Sequence, residues 1–159
     1  ASVVTVITTV QERSIMSVIV PGSTLGTIGA IRANLYIQQF KTRGGGSVLL
    51  RANYGNNQVA SIILGSDGGS YDFQSGKLEY VLIANANNAV QRGNFVGDLY
   101  KDALIVQPSV VTGVNFFVTG TSSVESSAPQ IFGVTAQPSD ATADYLTIVV
   151  SGYTVEKIT

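Results

Sequence analysis

The stretch VIVPGSTLGTIGAIRANLYI, residues 18–37, joins two apolar runs through a cluster of turn-forming residues. In the second run and its continuation to residue 38, apolar and polar residues alternate. One face of an extended strand would carry Ile31, Ala33, Leu35 and Ile37, and the other would carry Arg32, Asn34, Tyr36 and Gln38. This alternation predicts a half-buried antiparallel strand. The cluster before it predicts a corner, in which Pro21 ends the first strand and Leu25 fills the core.

Working outward, similar runs rich in Val, Ile, Thr, Tyr and Phe recur along the chain, bounded by Gly, Asn, Ser, Asp or Pro. Such runs predict strands, and no window keeps the 3.6-residue period of an amphipathic helix. The predicted strands are 3–10, 14–20, 30–40, 47–54, 58–64, 77–85, 91–100, 113–119, 130–137 and 145–157, with 101–107 as a further candidate. Regularly spaced strands predict an all-β sandwich or barrel, with a jelly roll as one option. We expect an antiparallel β-sandwich that is jelly-roll-like, in one domain of residues 1–159.

The composition removes several kinds of chemistry. The chain has no Cys and no His, so it has no disulfide, no thiolate or imidazole catalyst and no metal site built on these ligands. Neither a GxSxG nucleophile motif nor a GxxxxGK[ST] phosphate-binding motif occurs. We therefore expect a protein without enzymatic activity, metal or cofactor.

Charged residues make up 12% of the chain, against ~25% in a typical soluble domain. The chain has nine basic and ten acidic residues, and the sequence shows no basic patch that would indicate nucleic-acid binding. No apolar run reaches the ~18 residues of a membrane span, so we expect no membrane contact. Low charge beside 45% apolar residues indicates a surface covered by other protein; a Ser-, Thr-, Asn- and Gly-rich exterior is the alternative.

Several predicted strands are apolar on both faces, which an antiparallel sheet with one solvated face would not require. In LEYVLIA (78–84), Leu78, Tyr80 and Leu82 share one face, while Val81 and Ile83 share the other. Strands of this kind predict packing against a neighbouring copy, in a homo-oligomer that we expect to be a trimer. The candidate interface residues are Val81, Ile83, Phe117 and Val149.

The loop GSDGGSYDFQSG, residues 65–76, is the best candidate for an exposed recognition site. Its candidate ligand- or receptor-binding residues are Asp67, Tyr71, Asp72, Phe73 and Gln74. Aromatic rings beside planar polar groups suit a host-surface glycan, and further rings near loop ends are Tyr54, Tyr100 and Tyr145. The alternatives are that these rings are core edges or subunit contacts, and that the two carboxylates lie in a solvated turn or cup a Ca²⁺ ion.

The segment VPGSTLGTIGAIR, residues 20–32, resembles the IPANTLGTNGALR signature of structural proteins of tailed and environmental phages. The closing segment, with YTVE at 153–156, is similar to the last strand of the same family. The resemblance implies a jelly-roll-like protein at the virion surface, a head-decoration, vertex or fibre-tip module that contacts other virion proteins. The alternative function is a receptor- or carbohydrate-binding module that takes part in host attachment.

Overall fold

The computed structural model of the chain describes residues 3–7, 10–43, 47–64, 72–100, 113–138 and 145–158. Within these segments all regular secondary structure is β, which confirms the predicted fold class. The strands are β1 (Val3–Ile7), β2 (Arg13–Val20), β3 (Ala30–Arg43), β4 (Val48–Tyr54), β5 (Asn57–Leu64), β6 (Asp72–Phe73), β7 (Ser75–Ala84), β8 (Gln91–Tyr100), β9 (Gly113–Ser122), β10 (Gln130–Pro138) and β11 (Tyr145–Ile158). The sequence predicted each of these except β6, and the candidate strand 101–107 lies outside the described residues.

The strands form two antiparallel sheets with a nested order. The larger sheet runs β1-β11-β3-β7-β8-β9, with β6 also paired to β3, and the smaller sheet runs β2-β10-β4-β5. Four strand pairs are nested in the sequence, each inside the next, and alternate between the two sheets: from the innermost outward they are β4–β5, β3–β7, β2–β10 and β1–β11. This nested, alternating order is that of a jelly roll. The hairpin β8–β9 extends the larger sheet beyond it.

The core lies between the two sheets and is crossed by a stack of aromatic rings. Tyr80 of β7 stacks on Phe132 of β10, with ring centroids 4.4 Å apart and planes 11° from parallel. Phe95 of β8 meets the Tyr80 ring edge-on at 6.4 Å. The alternation predicted for the two central strands is confirmed. The residues predicted to face inward are all buried: Ile31, Ala33, Leu35, Ile37, Leu78, Tyr80 and Leu82.

The two sheets approach closely where β5 of the smaller sheet meets β9 of the larger sheet. A Cβ atom built on Gly120 would lie 1.7 Å from the carbonyl oxygen of Val59. A Cβ on Gly93 of β8 would lie 2.3 Å from Cγ1 of the same valine. These glycines have no side chain, so the backbones can come within contact distance.

The corner between β2 and β3 has the role that its residues predict. Leu25 is 2% exposed and packs in the core. The Thr24 hydroxyl donates to the Pro21 carbonyl at 2.6 Å, and the Gly29 amide donates to the Leu25 carbonyl at 2.8 Å. These bonds close two tight turns. Ile28, three residues after the buried leucine, is 88% exposed.

A buried carboxamide and a backbone hydrogen bond join this corner to two other connections. The Gln91 side chain donates to the carbonyls of Asn88 at 3.0 Å and Val124 at 2.8 Å. The amide of Ser23 in the corner donates to the carbonyl of Ser126 at 2.7 Å. The corner, the β7–β8 turn and the Ser-rich loop after β9 therefore form one hydrogen-bonded end of the sandwich.

Candidate functional site

On the outer face of the larger sheet, the in-out alternation of β3 slips by one residue. Ile37 and Phe40 are both buried, so the two residues between them, Gln38 and Gln39, both lie outside the core. The strict alternation that predicts the first half of β3 therefore does not continue through its second half.

The same slip occurs on the neighbouring segment at the same level of the sheet. Phe73 of β6 lies opposite Phe40, and Gly76 of β7 lies opposite Ile37. Between them, Gln74 and Ser75 are both exposed, and the Gln74 amide donates to the Tyr100 carbonyl at 2.9 Å.

The register between β3 and β11 also shifts at this level. Val149 lies opposite Gln39 and Val150 lies opposite Ile37, so Gln38 has no partner residue on β11 and forms a bulge. Ser151 is skipped in the same way, and its hydroxyl donates to the carbonyl of Tyr36 at 3.2 Å. Bulges change the direction of side chains locally, and here they bring polar side chains of β3 and of the segment around β6 together, beside an apolar side chain of β11.

These side chains line an open depression of about 430 Å³, which we call the glutamine depression: Gln38, Gln39, Asp72, Gln74 and Val149. Asp72 lies opposite Lys41 in the β3–β6 pair. Its Oδ1 atom is shielded from solvent and has no hydrogen-bond partner among the described residues. Within the described part of the chain, the three glutamine side chains also form no hydrogen bond. The depression therefore presents three carboxamides without hydrogen-bond partners in the described segments, beside a carboxylate whose Oδ1 atom lacks a donor there.

A second depression, of about 490 Å³ on the outer face of the smaller sheet, has a different character. Its Arg51 donates to Gln137 at 2.8 Å and to Gln58 at 3.0 Å, and pairs with Glu12 at 3.0 Å. Thr135 also donates to Glu12. The polar groups of this second depression are thus largely engaged with one another.

The structure brings together three of the residues singled out from the sequence. Asp72 and Gln74 from the predicted recognition loop lie beside Val149, which was predicted as an interface residue. Asp67 and Tyr71 lie outside the described residues. Phe73 requires a correction: it is 2% exposed and packs 6.2 Å from the Phe40 ring, because it lies on the inward side of β6. Its ring cannot serve as a recognition platform.

Of the other three aromatic candidates, one is buried, one is exposed and one has a side chain that the structure does not describe. Tyr54 is buried in the core, and burial, with Glu125 as a smaller cause, raises the pKa of its hydroxyl. Tyr100 is exposed at the end of β8. The side chain of Tyr145 lies outside the described residues.

Three of the four predicted interface residues share one outward patch of the larger sheet. Val81 and Ile83 are successive outward residues of β7. Val96 of β8 lies diagonally beside Val81, and Phe117 of β9 lies directly opposite Val96. We call this set the apolar diagonal. Phe117 is its most exposed member, at 64%. Val149 does not belong to it, because Val149 lies level with Gln39, about 20 Å along β3 from the level of Val81.

Charged side chains border the apolar diagonal on the β3 side. Arg32 lies 3.4 Å from Glu156 and 3.9 Å from Glu79, and Lys77 lies 3.5 Å from Glu79. The patch is therefore apolar at its centre and polar at one edge, which is the arrangement of many protein–protein interfaces.

Sequence reasoning did not select Gln38 and Gln39 as site residues. The signal was the pair of adjacent glutamines before Phe40 in AIRANLYIQQF, where the alternation ends. Two polar residues between apolar ones are typical of a bulge as well as of a loop, so the neighbouring strands were needed to distinguish the two.

The described residues hold no group of three or more acidic side chains placed to bind a metal ion. No described segment forms a helix of the length and hydropathy needed to cross a membrane. Comparison with family models and with curated proteins gives no match to this chain.

Proposed function

We propose that this chain is a non-enzymatic structural protein of a bacteriophage virion, which assembles with copies of itself as a homotrimer. The trimer would form a surface module, a head decoration, vertex protein or fibre tip, that reinforces or decorates the particle. Its partners would be its own copies and other virion proteins.

The observation that carries the proposal is the apolar diagonal. Four outward apolar side chains cross three adjacent strands, although one face of those strands already packs on the core. Contact with another copy would remove this surface from water, and each square ångström of apolar surface removed contributes about 25 cal/mol. The resemblance of the corner and of the closing strand to phage structural proteins supports the virion context.

The assembly is tested by the mass of the protein in solution, measured by light scattering after size exclusion. We expect three times the chain mass of 16.6 kDa. Phe117→Asp should lower the mass to that of one chain, because a carboxylate would be desolvated in the contact. The matched control is Ile63→Asp, since Ile63 is 61% exposed on the smaller sheet.

A wild-type protein that stays monomeric at high concentration would refute the assembly. So would a Phe117→Asp variant that keeps the wild-type mass while Ile63→Asp dissociates. The virion context is tested separately, by immunogold labelling of phage particles with an antibody to this chain. Labelling of the particle surface is expected, and unlabelled particles would contradict that part of the proposal.

The alternative function is a receptor- or carbohydrate-binding module that recognises host-surface glycans through loop aromatics. Burial of Phe73 and Tyr54 removes two of the rings on which this alternative depends. The unpaired polar groups of the glutamine depression favour recognition of a glycan by hydrogen bonds. We place it second because it does not account for the apolar diagonal.

A further inference from the structure

We propose that the glutamine depression binds a neutral saccharide through its planar polar side chains, without an aromatic platform. This function adds to the proposed assembly and does not depend on it. Along β3, the depression lies about 15 Å from the level of Val96 and Phe117 and about 20 Å from the level of Val81, and it shares no residue with the apolar diagonal.

The polar side chains of the glutamine depression have no hydrogen-bond partners among the described residues. Each of Gln38, Gln39 and Gln74 offers a hydrogen-bond donor and an acceptor, and the Asp72 carboxylate offers acceptors only. A shielded oxygen without a partner, such as Oδ1 of Asp72, is unfavourable until it receives a donor. A hydroxyl group of a ligand would supply that donor.

The two outer faces of the sandwich differ in how their polar side chains are bonded. Both faces carry a polar depression of similar size, but on the smaller sheet the side chains around Arg51 bond to one another. Around the glutamine depression, the described side chains leave their amides unpaired. Side chains that are grouped by bulges and then left unpaired suit a ligand better than they suit stabilisation of the fold.

The position of the depression on the sheet indicates which class of ligand it can bind. The depression lies on the face of a sheet, where the β3, β7 and β11 backbones already pair with one another. An extended peptide bound by strand addition needs a free edge, which this face does not offer. A sugar ring presents adjacent hydroxyls that both donate and accept, which matches carboxamides beside a carboxylate.

The charge and the size of the depression narrow the class further. Asp72 is the only charged residue among the described residues of the lining, and Lys41 lies opposite it just outside the lining. An acidic sugar bound against Asp72 would meet a like charge. A volume of about 430 Å³ falls within the usual range of small-molecule sites. Val149 supplies an apolar contact for the carbon-bound hydrogens of a ring. Since no aromatic ring of the described residues lines the site, we expect weak binding, with a Kd on the order of 1 mM for one sugar.

The test uses the full chain labelled with ¹⁵N and follows the side-chain amide signals of Gln38, Gln39 and Gln74 by NMR. Glucose, galactose, mannose and N-acetylglucosamine are added separately. At least one of them should shift these signals in a saturable way. Asp72→Asn should weaken that binding roughly tenfold, because a bond to a charged acceptor is lost. Gln58→Ala on the smaller sheet is the matched control and should bind like the wild type.

Phe117→Asp should bind the same sugar with an unchanged Kd, so failure of assembly and failure of sugar binding can be told apart. The proposal is overturned if none of the four sugars gives saturable shifts. It is also overturned if Asp72→Asn binds as tightly as the wild type, or if a short Gly/Ser peptide or sialic acid shifts these amides at lower concentration than any neutral sugar. Unchanged backbone spectra of the variants show that they remain folded.

Discussion

At the scale of single residues, Tyr80 carries an uncompensated polar atom in the middle of the core. Its ring stacks on Phe132, but its hydroxyl has no hydrogen-bond partner among the described residues. Burial, and to a smaller extent the neighbouring Tyr54, raises the pKa of the Tyr80 hydroxyl well above the usual value. The ring therefore contributes packing, while the hydroxyl opposes folding.

Tyr80→Phe should consequently stabilise the protein by about 1 kcal/mol at neutral pH, because an unsatisfied hydroxyl is removed and the ring is kept. Urea denaturation followed by circular dichroism measures the change. Tyr36→Phe, at an exposed tyrosine of β3, is the control and should change little. A Tyr80→Phe variant less stable than the wild type would mean that the hydroxyl has a favourable partner.

The same residue predicts how stability depends on alkaline pH. In the unfolded chain Tyr80 ionises near the ordinary tyrosine pKa of 10.0, while in the folded protein its pKa is higher. The contribution of this group to folding stability is therefore constant below about pH 10 and falls as the pH rises above it, since only the unfolded chain loses the proton. The advantage of Tyr80→Phe over the wild type should grow across that range. An advantage that is independent of pH would contradict the pKa shift.

At the scale of elements, strict alternation of apolar and polar residues predicted which side chains are buried wherever successive residues of a strand face opposite sides of the sheet. It placed Leu35 and Leu82 in the core and Val81 outside it, because each of these strands has the sandwich core on one side only. It did not extend to Gln39, and the sequence predicted a loop at Phe73. There the register depends on bulges that neighbouring strands share, and a single strand does not carry that information.

The Gly- and Ser-rich surroundings of Phe73 also hid β6, because they match the composition of an exposed loop. The site could therefore be predicted only in part. Asp72 and Gln74 were selected as loop residues, while Gln38 and Gln39 come from a strand on which they looked ordinary. Their proximity results from pairing between segments that are far apart in the sequence.

The corner before β3 gives a prediction at this scale. Leu25→Ala should destabilise the protein by about 2–5 kcal/mol, because it leaves a cavity under a hydrogen-bonded turn. Ile28→Ala in the same corner should change stability by less than about 0.5 kcal/mol, since that side chain is largely in solvent. Thermal and urea denaturation measure both variants. Similar losses for the two would show that Leu25 does not fill the core.

At the scale of the whole molecule, the sandwich depends on a close approach of its sheets at one side. The carbonyl of Val59 on β5 occupies the space where a side chain on Gly120 of β9 would begin. A backbone carbonyl cannot rotate away as a flexible side chain can, so substitution there must separate the sheets.

Gly120→Ala should therefore destabilise the protein by about 3 kcal/mol, at the upper end of the usual effect of overpacking. Gly152→Ala in β11 is the matched control, because nothing lies within 4 Å of the Cβ position there. Its effect should be within about 0.5 kcal/mol. Equal stability of the two variants in urea would mean that the sheets can move apart without loss.

The nested order of the strands also bears on how the protein can fold as it leaves the ribosome. β11 is the last described strand to be synthesised, yet it lies in the larger sheet between β1 and β3. Until it emerges, the nascent chain can complete the smaller sheet, while β1 has no neighbour and one side of β3 is open. A chain whose synthesis stops before residue 145 would keep that open backbone row, which is a template for aggregation with other chains.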